Sequence, residues 1–363
     1  MAAKVEALVE KARELKASDI HLAQDSVAYL RLHGTMIPVK GLELTRAEMD
    51  ALLDEVMPPE LRKELDENRS SDFAWQPHED VRLRATAFYE RDRLRMVMRL
   101  INMTIASVDD LGLPEVLKTV ADNRRGLVIV TGITGSGKST TLAAIVNHIN
   151  ATRKDCIITI EDPIESIHTN IKSLISQREV GRDVTSFRDG LMQALRQDPD
   201  VILIGEMRDP ETIITSIRAA ETGHFVLSTM HTTNATHTLE RIFSEFPEAE
   251  HELLREQIAN NLKATITQRL VKAEGGGRVP ALEIMIVNEV VKKLILEDKV
   301  ESIATVIRGK TDGMILFDQY LADLVRGEKA SEEAAVDYCE DEFAFRRYVK
   351  GRKGSGDSGG ILG

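Results

Sequence analysis

Only two cysteines occur in 363 residues, Cys156 and Cys339, far apart and outside any metal-ligand spacing. That excludes a disulfide framework and a cysteine zinc site, and it suits a reducing compartment. No apolar run approaches the roughly 18 residues needed to span a bilayer. The opening stretch, Met1 to Lys16, carries acidic residues and has no apolar core of a secretory signal. Positive charge is also scarce: 47 lysines and arginines face 59 acids, a net charge of -12. General attraction to nucleic-acid phosphates needs the opposite balance, so no direct nucleic-acid contact is expected and a DNA-translocating role is disfavoured. No internal repeat is visible. The expectation is a cytoplasmic protein, peripheral at a membrane only through a partner.

What is present describes an ordinary globular chain, 42% hydrophobic and 29% charged, long enough for two or three domains. Val5, Leu8, Val9, Ala12 and Leu15 recur at helical spacing and predict an amphipathic helix. Ser18 to Leu22 leads into Tyr29 to Val39, which predicts two short strands around Gly34. Thr45 to Val56 predicts a helix with a Thr45–Glu48 capping box, ended by Pro58 and Pro59. A hairpin is predicted over Val81 to Ile101, turning near Arg91 and Asp92. These elements describe a compact α+β domain over residues 1–101.

Asn102 to Pro114 predicts a linker, and beyond it the pattern changes. Leu127 to Thr131, Ile157 to Glu161, Val201 to Ile204 and Phe225 to Met230 are short apolar runs separated by helical stretches. Strands buried in a parallel sheet have this character, so residues 115–350 are expected to form an α/β domain. From Glu248 onward the pattern predicts mostly helix. Residues 351–363 are Gly/Ser-rich without apolar periodicity and are expected to be disordered.

Gly132 to Ser139 reads G-I-T-G-S-G-K-S, a full match to the phosphate-binding loop pattern, placed after an apolar strand and before a helix. Gly132, Thr134, Gly135, Ser136, Gly137, Lys138, Ser139 and the adjoining Thr140 are the nucleotide-binding candidates. Backbone N–H groups in such a loop cradle phosphate oxygens at a helix N-terminus. Lys138 supplies charge to the β- and γ-phosphates of ATP, and the Ser139 hydroxyl enters the Mg²⁺ shell. The strand Val201 to Ile204 runs into Gly205 and Glu206. Gly205 stands where P-loop ATPases place a strand-end aspartate, which leaves Glu206 as the candidate base. Glu161, Asp162 and Glu165 crowd negative charge around Pro163, a natural partner for Mg²⁺ and its waters, or else an acidic surface turn. His231, at the end of the next apolar run, could hydrogen-bond a γ-phosphate or be structural.

Arg82, Arg84, Arg95 and Arg99 lie on the predicted hairpin. With its turn between Arg91 and Asp92, Arg84 falls opposite Arg99, and Arg95 opposite Phe88. Like charges so placed repel, and an anion would relieve them. Local pairing with Asp72, Glu79 or Asp80 is the alternative.

Assembled, these residues resemble the secretion and pilus ATPase superfamily and, within it, the PilT-like retraction ATPases. The resemblance runs to about Gly327 and rests on Ala17 to Leu22, Gly132 to Thr141, Ile160 to Glu165, Gln177 to Gly181, Leu195 to Asp200, Gly205 to Asp209, Ala220 to His224 and His231 to Thr233. It implies a PAS-like N-terminal domain, a RecA-like ATPase domain and a homo-hexameric ring driving type IV pilus retraction and twitching motility. It further implies Glu206 as catalytic glutamate, Glu161 within an acidic box, and Arg84 and Arg99 contacting nucleotide. The implied partners are an inner-membrane pilus platform protein and a paralogous retraction ATPase. Assembly and secretion members usually carry a tetracysteine element, and no C-x-x-C occurs here. The retraction motif A-I-R-N-L-I-R-E stands here as Glu289 to Glu297, with Lys292 and Lys293 replacing Arg-Asn and Leu296 replacing the second arginine. A PilU-like accessory role, an assembly or secretion role, and a nucleotide-binding scaffold are the alternatives.

Overall fold

The computed structural model describes residues 2–32, 34–78, 81–101 and 105–351. The chain divides into two compact units, Met1–Thr104 and Ile105–Gly363. The expected disordered tail, apart from Gly351, lies outside the described residues, as does the start of the expected linker at 102–104. The rest of that linker belongs to the second unit, where Val108 and Leu113 are buried in its core.

The first unit opens with the amphipathic helix α1 (Ala2–Glu14), which buries Val5, Leu8, Val9 and Ala12 while Leu15 stays exposed. Strands β1 (Asp19–Ala23), β2 (Val27–Leu32) and β3 (Thr35–Glu43) follow, then α2 (Arg46–Val56) and α3 (Pro59–Asn68). Thr45 caps α2 in a capping box with Glu48, as its sequence predicts. α2 ends at Val56 ahead of Pro58–Pro59, as expected, and a new helix starts at once. Pro59 takes the first position of α3, where its missing N–H costs nothing. Strands β4 (Ser70–His78), β5 (Val81–Glu90) and β6 (Arg93–Ile101) complete an antiparallel sheet of order β3-β2-β1-β6-β5-β4 among the described residues.

The predicted hairpin register holds: Arg84 pairs across the ladder with Arg99, and Phe88 with Arg95. Arg99 has a partner the sequence did not suggest. Asp19, opposite it on β1, lies 2.9 Å from its Nε. Of the suggested acids, Asp72 accepts from Thr86, and Glu79 and Asp80 lie outside the described residues. Arg84 is exposed, and no ion pair of it is found among the described residues.

The second unit begins with α4 (Val116–Ala121) and then alternates strand and helix: β7 (Gly126–Thr131), α5 (Lys138–Thr152), β8 (Cys156–Glu161), β9 (Leu174–Glu179), α6 (Phe187–Ala194), β10 (Val201–Ile204), α7 (Pro210–Glu221), β11 (Phe225–Met230), α8 (Ala235–Ser244) and α9 (His251–Asn261). The expectation of mostly helix from Glu248 onward misses one hairpin. Strands β12 (Leu262–Lys272) and β13 (Arg278–Ile286) form an antiparallel hairpin, and β12 pairs in parallel with β7. The Thr-rich run Ala264–Thr267 and the glycines 275–277 of the turn are β signals, overridden in the sequence reading by the helical segments on either side. The sheet order is β13-β12-β7-β11-β10-β8-β9. Leu127 and Ile129 enter one core and Val128 and Val130 the other, so both faces are covered. Helices α10 (Glu289–Leu296), α11 (Ile303–Arg308), α12 (Phe317–Arg326), α13 (Glu332–Val336) and α14 (Glu342–Val349) close the described chain. The last three build a core on the far end of the β12–β13 hairpin around Val271, Phe317 and Phe345. This is the expected α/β class, with an antiparallel-sheet domain preceding a mainly parallel one. Among the described residues no helix is long and apolar enough to cross a membrane.

One buried acid makes this core pH-sensitive. Glu283 on β13 is 3% exposed and accepts a hydrogen bond from the Ala235 N–H at the start of α8, 2.8 Å away. Burial raises its pKa to about 7, with Glu340 and Asp318 adding to the effect and Arg269 and the Ala235 N–H opposing it. An acid whose folded pKa lies above its ordinary 4.5 is tolerated while protonated, and it destabilises progressively as pH rises between the two values. Glu283→Gln keeps an acceptor for Ala235 without the charge. Relative to wild type it should gain on the order of 3 kcal/mol between pH 4.5 and pH 8. Thermal melting at both pH values checks this, and a gap that does not widen with pH refutes it.

Candidate active site

Between β7 and α5 the chain turns through Gly132 to Gly137, and Gly135 and Gly137 hold positive φ angles of 78° and 88°. Gly137 caps α5, so the first helical N–H groups of a 15-residue helix open onto the loop. Lys138 is buried, and its Nζ donates to the carbonyls of Gly132 at 2.9 Å and Ile133 at 3.2 Å. Burial lowers its pKa, opposed by the nearby charges of Glu206 and Glu165. The Ser136 hydroxyl is buried and has no hydrogen-bond partner among the described residues. An anion in the loop would supply one.

In front of the loop lies a cavity of about 320 Å³. Thr134, Gly135, Lys138 and Ser139 line one side, and Glu161, Asp162, Glu165, Glu206, Arg208 and His231 line another. The strand order explains this convergence, because parallel β7, β8, β10 and β11 all deliver their C-terminal ends to one edge. Of the sequence candidates in this unit, Thr140 is exposed and outside the lining, while Gly132, Ser136 and Gly137 form the wall of the loop itself. Arg84 and Arg99 belong to the first unit.

Glu206 follows Gly205 at the end of β10, and its side chain is 15% exposed. Its Oε2 lies 2.8 Å from Arg208 Nη2 and its Oε1 lies 3.3 Å from His231 Nε2. The space beside Gly205 is tight. A Cβ there would come within 3.1 Å of the Phe187 ring and 3.3 Å of the Ile160 carbonyl, so an aspartate would crowd both. The carboxylate at this strand end is that of Glu206, one residue later.

Glu161 is held from two sides. Thr159 Oγ1 donates to its Oε1 at 2.6 Å, and Gln177 Nε2 donates to the same oxygen at 3.1 Å. Burial raises its pKa, and Glu165 adds to the shift. Gln177 also donates to the Ser166 carbonyl and accepts from the His168 N–H, so one β9 side chain ties down the whole acidic turn. Burial lowers the pKa of His168 to about 4, so this cavity residue is neutral at ordinary pH. Gln177 and His168 were not singled out as site residues. Gln177 opens a motif stretch, which was its only sequence signal.

The oxygen donors of Ser139, Glu161, Asp162 and Glu165 are hard ligands of the kind Mg²⁺ takes. Among the described residues no three His, Cys, Asp or Glu side chains converge as a protein metal cage.

The family model for type II/IV secretion system proteins matches residues 1–335. The twitching motility protein of Neisseria gonorrhoeae is 44% identical over 308 residues, covering 84% of this chain and 82% of that protein. The type IV pilus retraction ATPase PilT of Pseudomonas aeruginosa is 42% identical over 320 residues, covering 88% and 93%. A crystal structure of the pilus retraction motor PilT with bound ADP superposes with a TM-score of 0.88 at 39% identity, covering 94% of this chain and 98% of that one. The chain belongs to the type II/IV secretion system protein family, as an ATPase homologous over most of its length to PilT.

Proposed function

We propose that this chain is a type IV pilus retraction motor, hydrolysing ATP with Mg²⁺ as a cytoplasmic homo-hexamer. It works at the inner membrane through a pilus platform protein, and a paralogous retraction ATPase is a further partner. The observation that carries the reading is the single cavity joining the phosphate loop to Glu206, in a chain related to retraction ATPases along most of its length.

In this reading Gly132 to Thr140 cradle the phosphates through backbone N–H groups. Lys138 exchanges its carbonyl contacts for β- and γ-phosphate oxygens. Ser139 and Glu161 would hold Mg²⁺, which when bound neutralises charge on the phosphates. Glu206 orients the attacking water and accepts its proton. His231, 3.3 Å from Glu206, would exchange that contact for the γ-phosphate and report its loss. Arg84 and Arg99 approach the nucleotide of a neighbouring subunit.

Deleting the gene in its host tests the function: assembled pili that no longer retract are expected, and loss of assembly would favour an assembly role. The ring has its own test. Light scattering with nucleotide should give about six protomers per particle, the size of the proposed ring, whose head-to-tail contacts close on themselves. A monodisperse monomer at high concentration counts against the motor.

A further inference from the structure

We infer that Gln268 is a positioning residue of the phosphate loop, a side-chain strut that holds the loop in its anion-binding shape. β7 and β12 run side by side until Thr131 pairs with Thr267, their hydroxyls 2.8 Å apart. There β7 leaves the sheet to become the loop, while β12 continues beneath it. The next residue on β12 is Gln268, 2% exposed.

Its amide is used at both ends. Nε2 donates to the Ser136 carbonyl at 2.8 Å, and Oε1 accepts from the Thr141 hydroxyl at 2.6 Å. One side chain therefore joins the crest of the loop to the first turn of α5. Two loop glycines make room for this residue, Gly132 for its backbone and Gly137 for its side chain. A Cβ on Gly132 would lie 2.3 Å from the Gln268 carbonyl oxygen, and one on Gly137 would lie 2.7 Å from Gln268 Nε2.

The bond to Ser136 has a directional consequence. In a planar trans peptide the carbonyl and the following N–H point to opposite sides. Pinning the Ser136 carbonyl towards β12 turns the Gly137 N–H away from β12, leaving it free for a phosphate oxygen. Without the strut, that peptide is free to rotate and must be ordered again each time nucleotide binds. The inference rests on the nucleotide-site reading of Gly132 to Ser139.

Only a group with a donor at one end and an acceptor at the other fits. Methionine fills the space but leaves Ser136 and Thr141 unpaired, and an ionised glutamate sets an oxygen against the Ser136 carbonyl. A protonated glutamic acid restores the donor. ADP binding by the full chain, free of hydrolysis, is measured for wild type, Gln268→Met and Gln268→Glu at pH 8 and pH 6, alongside thermal melting. Gln268→Met should bind roughly 10-fold more weakly at both pH values, the effect of leaving buried partners unpaired. Gln268→Glu should bind weakly at pH 8 and regain affinity relative to wild type at pH 6, a pH response that a merely structural residue would not give. If Gln268→Met does not fold, Thr141→Val removes one of the two bonds and should weaken ADP by roughly 3-fold. Unchanged ADP affinity in the folded variants, whatever their melting temperatures, overturns the inference. Failure of wild type to bind ADP overturns instead the nucleotide-site reading beneath it.

Discussion

Replacing Glu206 with glutamine should leave ADP binding within about 3-fold of wild type and slow steady-state ATP hydrolysis by at least ~10²-fold, the usual scale for loss of a general base. Glutamine matches the carboxylate in shape and can still bond Arg208 and His231, so the end of β10 should keep its geometry. What it cannot do is take a proton from water. The carboxylate is held at the cavity wall, with Arg208 at 2.8 Å from one oxygen and His231 at 3.3 Å from the other. A loss confined to turnover would mark an interaction used in the transition state and not in nucleotide binding. Phosphate release and ADP titration on the same preparation give both numbers. Turnover within about fivefold of wild type would remove Glu206 from the role and transfer attention to Glu161 or Glu165.

What the sequence made legible was local. The phosphate loop announces itself because its strand, glycines, lysine and helix are contiguous, and the capping box of α2 spans only four residues. The Arg84–Arg99 register could be counted because a two-residue turn fixes every later pair of an antiparallel hairpin. What stayed hidden depends on residues distant in sequence. Gln268 lies more than 120 residues from the loop it supports, in a hairpin read as helix. The contacts of Lys138 involve carbonyls of its own loop, which no residue type signals. Val108 and Leu113 sit in a stretch that reads as linker, and their burial comes from a core assembled by other elements. Even the correctly counted arginine pair was incomplete. Asp19 reaches Arg99 from a strand whose neighbour in the sheet the hairpin pattern cannot reveal.

That Asp19 contact decides how the proposed arginine fingers should be tested. Asp19 is almost wholly buried, with Arg99 at 2.9 Å and Arg31 at 3.7 Å. Removing Arg99 takes a partner from a buried carboxylate and should lower stability as well as activity. Arg84 is the cleaner probe, since among the described residues it holds no such acid. Arg84→Ala should bind ATP nearly normally and hydrolyse it at least ~10²-fold more slowly, as expected of a group that meets charge developing in the transition state. Mixing then separates action between subunits from action within one. Rings of Arg84→Ala subunits alone have intact phosphate loops and lack the Arg84 finger, and rings of Lys138→Ala subunits have the reverse. If a finger serves its neighbour, a random equal mixture in a head-to-tail ring recovers activity at about a quarter of its sites, where an intact loop meets an intact finger. If it serves its own chain, no mixed site has both parts, and the mixture stays as inactive as its components. Unchanged turnover in Arg84→Ala would dismiss Arg84 as a finger and leave Arg99, with its tie to Asp19, as the remaining candidate.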